Sequence, residues 1–341
     1  MKTILQRLSD RESLTEAEMK EAMDTIFSND VTDSEIAAFM VSLKTKGETV
    51  DEIAGIVRAM RDKSLTFSKN IPNVLDNCGT GGDGSSSFNI SSTSAFVIAG
   101  AGIPVAKHGN RSVSSKTGSA DVLEHLGINL NNKPERTEEI LGEIGIAFLF
   151  APHVHPNIKR IMKVRKDLRI PTTFNLIGPL TNPVELENQL LGIYRRDYTM
   201  MFAEVLKTLG RKRAVVLNGA GFMDEASLQG ENHLAILDNG EVFEKILHPE
   251  EVGLPVYSND AIRGGDSREN AEILLNVLKG EKGAKRDTVL LNAGIGIFTG
   301  GKAETIQKGI NIARESIDSG AALDKLQQLI KASKSFQKEV I

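Results

Sequence analysis

The chain reads as α/β: a small all-helical N-terminal domain joined to a larger α/β domain with a mostly parallel central sheet. Three observations predict this. Residues 1 to about 65 carry helix caps and helical periodicity with no strand signal between them. From Val74 onward, short apolar runs alternate with helical stretches, the pattern of a parallel sheet. Two small-residue loops, one following the run Val74 to Asn77 and one following Ile103 to Ala106, flank a short apolar helix.

In the helical part, Thr15 precedes Glu18 by three residues, and Thr49 precedes Glu52 by three, both with capping-box spacing. Ala22, Met23 and Ile26 form one stripe; Ile36, Met40 and Leu43 a second, starting at Asp33 or Ser34 and stopped by Gly47; Ile53, Ile56, Val57 and Met60 a third. Such stripes predict core or a subunit interface. Asn70 to Asn73 marks a boundary. Val74 to Asn77 is then expected as a strand, Ser91 to Gly100 as a helix, Ile103 to Ala106 as a strand, Ser119 to Leu126 as the start of a helix, and Gly145 to Phe150 as a buried strand.

Pro156 to Arg169 reads as a basic helix. Asn175 to Pro183 is turn-rich and lacks a sheet pattern, so the chain is expected to return to the helical domain there. The predicted division is 1–70 with a return segment near 165–185 for the helical domain, and 71–164 with 186–341 for the α/β domain. Leu190 to Tyr194 and Ala214 to Asn218 resume as strands, with a helix from Tyr198 to Leu209 between them. A hairpin over His233 to Phe243, a helix near Asn270 to Leu278, a strand over Thr288 to Leu291 and a helical C-terminal stretch complete the reading.

Composition narrows the function. The 341 residues suffice for one large or two modest domains, and 40% hydrophobic content can build a core. The one cysteine, Cys78, permits no intrachain disulfide, which fits a reducing cytoplasm and excludes an all-cysteine metal site. The start, Met1 to Arg7, soon turns polar, and no apolar run has transmembrane length, so neither a secretory leader nor a membrane partner is expected. A net charge of −4 argues against nucleic acid as the partner.

The chemistry concentrates between Asp76 and Glu124. The run Gly79-Thr-Gly-Gly-Asp83 follows a strand; its glycines let backbone N–H groups approach phosphate oxygens, and the following helix offers its positive N-terminus. A tight strand-to-helix turn is the plainer reading of the same residues, and neither the Walker pattern nor Gly-x-Gly-x-x-Gly is matched. Asn89, Ser91 and Ser92 add amide and hydroxyl groups. Lys107, Arg111 and Lys116 then supply charge, Ser112, Ser114 and Ser115 hydroxyls, and Gly109 an open backbone; lying between apolar segments, this second loop suits a multiply phosphorylated ligand better than solvent. Asp224-Glu225 could hold Mg²⁺, which takes one or two carboxylates beside phosphate oxygens. His108 reads equally as an acid–base group or a hydrogen-bonded loop residue, and His153 and His155 have no convincing zinc partners.

The motifs Gly79 to Asp83, Phe88-Asn-Ile-Ser91, Lys107 to Ser115, Asp121-Val-Leu-Glu124, Asn175 to Pro183 and Asp224-Glu225 together strongly resemble the anthranilate phosphoribosyltransferases of tryptophan biosynthesis, over nearly the whole chain and in the family's order. The resemblance implies a homodimer formed through the helical domains, an active site in the hinge cleft, and anthranilate and 5-phosphoribosyl 1-diphosphate (PRPP) as substrates, with Mg²⁺. It implies a PRPP site lined by Gly79, Gly82, Asp83, Ser87, Asn89, Ile90, Ser91, Ser92, Lys107, His108, Gly109, Asn110, Arg111, Ser112, Val113, Ser114, Ser115 and Ser119. Metal would fall to Ser91, Asp224 and Glu225, and anthranilate to Gly79, Asn110 and Arg165, with no covalent nucleophile and a substrate-shaping role for His108. Ser87 stands where the family commonly has threonine, which keeps the hydroxyl. A pyrimidine nucleoside phosphorylase and a non-catalytic nucleic-acid-binding relative of the same fold are the alternatives; the first would not need Asp224-Glu225, and the acidic balance counts against the second.

Overall fold

The computed structural model describes residues 1–28, 30–111 and 117–334. Four helices open the chain: α1 (Lys2–Ser9), α2 (Glu16–Phe27), α3 (Asp33–Lys46) and α4 (Val50–Asp62). Thr15, Thr32 and Thr49 cap the last three, each in a reciprocal box with a glutamate three residues on. Glu52 also reaches inward: fully buried, it accepts from Leu14 N–H and pairs with Lys46 at 2.8 Å, tying α3 and α4 to the loop before α2.

The remainder alternates as expected: β1 (Leu75–Asp76), α5 (Ile90–Gly100), β2 (Val105–Gly109), α6 (Ser119–His125), α7 (Pro134–Ile144) and β3 (Ile146–Phe150). After α8 (Ala151–Val154) and the basic α9 (Lys159–Leu168) come β4 (Asn188–Gly192), α10 (Thr199–Thr208), β5 (Arg213–Asn218), β6 (Asn232–Asp238) and β7 (Glu241–Leu247). The hairpin β6–β7 turns on Asn239-Gly240, both at positive φ, the conformation a two-residue turn demands. Helices α11 (Ser267–Leu278), α12 (Ala284–Thr299), α13 (Ile306–Asp318) and α14 (Ala321–Lys334) complete the described chain.

One seven-stranded sheet, in the order β3-β2-β1-β4-β5-β6-β7, organises these elements; its first five strands are parallel, and β6 and β7 each pair antiparallel with the strand before. Alternate side chains feed two cores. Val215 and Leu217 of β5 join the cluster built by α5, α6, α7 and α11 to α14, whereas Ala214 and Val216 join the one built by α1 to α4, α9 and α10. Phe174, Leu176, Ile177 and Leu180 belong to the second cluster, so the turn-rich segment packs with the N-terminal helices.

Two expectations need correction. Thr288 to Leu291 is not a strand but lies inside α12. That helix is central and buried on nearly all sides, with Gly294 and Gly296 in close contact with Ile310 and Ile98, so its apolar run shows no polar face to reveal the helical period. Lys107, His108 and Gly109 are not loop residues: they form the buried C-terminal half of β2. A strand ending in a cation and an imidazole looks like a loop to periodicity alone.

Candidate active site

The strand order reverses direction between β1 and β4, and open α/β sheets bind ligands at the carboxyl ends of strands at such a switch point. Part of the sequence-predicted set lies there. Gly79 to Asp83 leaves β1, Lys107 to Gly109 ends β2, and Asp224-Glu225 lies on the loop beyond β5, while α5 begins at Ile90.

Close backbone approach joins the glycine loop to the acid loop. Gly79 bridges Gly192 at the end of β4, and Thr80 N–H donates to Gly192 O at 2.9 Å. A Cβ at Gly79 would lie 2.4 Å from Asp224 Oδ2 and displace that carboxylate, and one at Gly192 would lie only 1.6 Å from the backbone oxygen of Asp224, where only glycine fits. Gly81 N–H donates to Asp224 Oδ2 at 2.6 Å, and Asp224 N–H donates to Asp83 Oδ2 at 3.3 Å. Ser91 N–H, in the first turn of α5, donates to Glu225 Oε1 at 3.0 Å.

The electrostatics of these carboxylates follow from desolvation and mutual crowding. Burial first, then neighbouring Asp83 and Glu225, holds Asp224 well above the usual carboxylate range. Burial pushes Glu225 up to about 7 against the pull of Lys107 and Ser91. Among the described residues neither acid has an ion-pair partner, and no group of three or more His, Cys, Asp or Glu side chains could hold a metal alone. Two unneutralised carboxylates without a complete protein cage fit Mg²⁺, which takes few protein ligands and completes its shell from phosphate and water.

Lys107 is buried, and its ammonium donates to Asn77 O and Asn77 Oδ1 at 3.3 and 3.4 Å. Beneath it, Asp76 is fully buried and accepts from His108 N–H at 3.2 Å and from Asn182 Nδ2 at 3.0 Å. Its carboxylate thus takes up a β2 N–H beyond the last β1–β2 pair, Leu75 with Val105, and burial raises it to about 6. The His108 ring meets His155 edge-on at 5.3 Å, and burial depresses both, to about 3 and about 4. His108 is therefore neutral and a weak base at neutral pH, and among the described residues His108 Nε2 has no hydrogen-bond partner. That fits shaping of a ligand better than proton removal.

Other expected residues are placed as follows. Asn89 Oδ1 accepts from Asn270 Nδ2, Ile90 and Ser92 lie buried on α5, and Ser87 sits beside Ser85 Oγ at 3.3 Å. Gly82 takes positive φ beside Tyr194. Asn110 O accepts from Ser119 Oγ at 3.2 Å. Arg111 is committed elsewhere: it pairs with Asp121 and Glu124, each at 2.7 Å, and lies over the Phe150 ring. Ser112, Val113, Ser114, Ser115 and Lys116 lie outside the described residues. Arg165, on α9, is half-buried and donates to Met162 Sδ at 3.1 Å. Among the described residues no carboxylate lies within ion-pair distance of it, and burial lowers it from its ordinary value. Sequence reasoning missed Gly192, Asn77 and Asn182, because their roles arise only where separate strands meet.

A helical bundle thus packs on a mostly parallel sheet, with a glycine loop facing a half-buried acid pair at the switch point, and comparison with known families places this architecture among the two-part glycosyl transferases. The sequence matches the helical bundle domain of the glycosyl transferase family over residues 2–64 and its a/b domain over residues 71–323. It is 58% identical over 333 residues to the anthranilate phosphoribosyltransferase of Bacillus cereus (strain AH820), covering 98% of each chain. The structure is similar to that of the enzyme from Thermus thermophilus, with a TM-score of 0.93, 39% identity, and coverage of 97% of this chain and 99% of that one. It is also similar to the Saccharomyces cerevisiae enzyme in complex with PRPP and Mg, with a TM-score of 0.89, 26% identity, and coverage of 98% and 97%. The chain belongs to the anthranilate phosphoribosyltransferase family.

Proposed function

We propose that this chain moves the 5-phosphoribosyl group of PRPP to the amine of anthranilate through the residues gathered at the β1–β4 switch point. The amine nitrogen bonds to ribose C1 as the C1–oxygen bond breaks; pyrophosphate leaves and the amine gives up a proton. The observation that carries the reading is the arrangement of a buried cation, Lys107, and a half-buried acid pair, Asp224 and Glu225, around one glycine loop with, among the described residues, no ion pair between them.

Lys107, the backbone N–H groups of Gly79, Gly82 and Asp83 and the N-terminus of α5 bind the phosphates and stabilise the charge developing on the leaving group. Magnesium bound with the diphosphate supplies further neutralisation, and Ser91, Asp224 and Glu225 are the groups that would hold it. Arg165, planar and with no carboxylate partner among the described residues, receives the anthranilate carboxylate, with Asn110 and Gly79 beside it. Neutral His108 shapes the acceptor site. An aryl amine attacking an electrophilic carbon needs no strong base, so orientation and charge carry the rate.

The same reading assigns residues 1–70 and the return segment near 165–185 to a helical domain through which two copies associate, in the cytoplasm. The packing of Phe174 to Leu180 with α1 to α4 supports the division. Loss of anthranilate fluorescence on mixing with PRPP and Mg²⁺, accompanied by pyrophosphate release, tests the reaction. Persistent fluorescence with folded protein would refute it. Asp224→Asn with Glu225→Gln tests the metal assignment: turnover and its Mg²⁺ dependence collapse while the fold survives, and wild-type rates would remove the acid pair from the mechanism.

A further inference from the structure

We infer that Asn77 is a positioning residue that holds the Lys107 ammonium in place for the diphosphate of the substrate while leaving its charge available. The inference rests on the reaction proposed above.

Asn77 is buried and sits between two parts of the site. Its amide nitrogen donates to Ser91 O at 2.8 Å, which anchors the side chain to the first turn of α5. With that end fixed, Oδ1 faces Lys107 Nζ at 3.4 Å, and the backbone oxygen of the same residue faces it at 3.3 Å. Both contacts are longer than an ordinary N–H···O bond of about 2.7–3.2 Å, and both acceptors are neutral. They orient the ammonium without neutralising it.

That distinction matters because Lys107 is buried. A buried ammonium is costly unless paired. Among the described residues no carboxylate lies within ion-pair distance of it, although Asp76 and Glu225 both feel its field. A carboxylate at position 77 would satisfy the lysine and remove its attraction for phosphate. A hydrocarbon there would free it to swing towards those acids. Asparagine does neither. Through Ser91, whose N–H donates to Glu225, the same amide fixes the cation relative to the acid loop, so the groups for the two charges of a metal–diphosphate stay in register.

The test is direct PRPP binding by calorimetry in the presence of Mg²⁺, together with the KM of each substrate. Asn77→Leu is expected to weaken PRPP binding about tenfold, the loss of one hydrogen bond to a charged group, and to leave the anthranilate KM unchanged. In a Lys107→Met background the same Asn77→Leu change should have no further effect on PRPP affinity, because it acts through the ammonium. An equal loss in both backgrounds would show that Asn77 merely supports α5, and would overturn the inference. So would unchanged affinity in the single variant. If Asn77→Leu does not fold, Asn77→Asp, which keeps the shape, should still lose about tenfold or more by quenching the cation, and wild-type affinity in that folded variant would equally overturn it. Wild-type protein that fails to bind PRPP would sink the parent reading and this inference together; binding by the wild type and all variants alike sinks this inference alone.

Discussion

Replacing Gly192 by alanine tests how the acid pair is held. The new Cβ would stand 1.6 Å from Asp224 O and 2.6 Å from its carbonyl carbon, where real Cβ atoms essentially never come closer than 3.0 Å. One side must therefore retreat by about 1.4 Å. β4 is the less free to move, being hydrogen-bonded between β1 and β5, so the loop carrying Asp224 and Glu225 shifts instead. Misplacing a catalytic group by about 1 Å costs on the order of a hundredfold in rate, whereas overpacking of this kind destabilises by only about 1–3 kcal/mol. Gly192→Ala should thus stay folded in thermal unfolding while kcat falls about a hundredfold. Mn²⁺ binding followed by electron spin resonance with PRPP present should weaken in parallel. Near-wild-type turnover in folded Gly192→Ala would refute the claim that the acid pair needs this seat.

Arg165→Ala should raise the anthranilate KM far more than the PRPP KM; an equal rise in both would point to general steering or domain closure instead. Asp76 gives a pH signature: burial raises it from 3.8 to about 6, so between those values the folded protein keeps a proton that the unfolded chain has lost. Stability should therefore fall as pH rises through that window, by at most about 3 kcal/mol, and denaturant titrations of Asp76→Asn should show a shallower fall. Glu225, raised from 4.5 to about 7, works in the same direction, so Mg²⁺ should lift the Tm more at alkaline than at acidic pH. A lift independent of pH would mean that these carboxylates are not where the ion binds.

The caps and periodicities that announced the helical bundle are local chemistry, and local chemistry is visible in a sequence. Thr15 with Glu18 and Thr49 with Glu52 close the boxes their spacing promised. Helix α7 could have been read the same way, since Pro134 occupies its first turn and Gly145 takes the left-handed conformation at its end. Thr288 to Leu291 failed for a different reason: the periodic signal needs a solvent face, and α12 has almost none. Lys107 and His108 failed because they break the rule that strands in a buried sheet are apolar. Sequence rules are expected to fail where function overrides them, so that misreading itself marked the site. Gly192 and Asn77 had no local signal at all. One matters because a loop some thirty residues later rests on it, the other because it stands between a strand and a helix.

The site keeps opposite charges apart, which stability alone does not favour. Lys107 is buried and Glu225 half-buried, and the lysine's field pulls on the glutamate, yet among the described residues they do not pair. Pairing would satisfy both and leave nothing for a ligand. Instead Asn77 restrains the cation with neutral oxygens, while Gly79 and Gly192 seat the acid loop by close backbone contact. Each charge is thus left wanting a partner of the opposite sign. In the reaction proposed above, a phosphorylated sugar carrying its own metal ion would present both, the anion to Lys107 and the cation to Asp224 and Glu225. Neither a free diphosphate nor a free cation would satisfy the whole arrangement, so binding of the two should be mutually reinforcing. The burial cost carried by these charges is then recovered only when the complete metal–substrate complex is in place, which is a physical basis for preferring it to its parts.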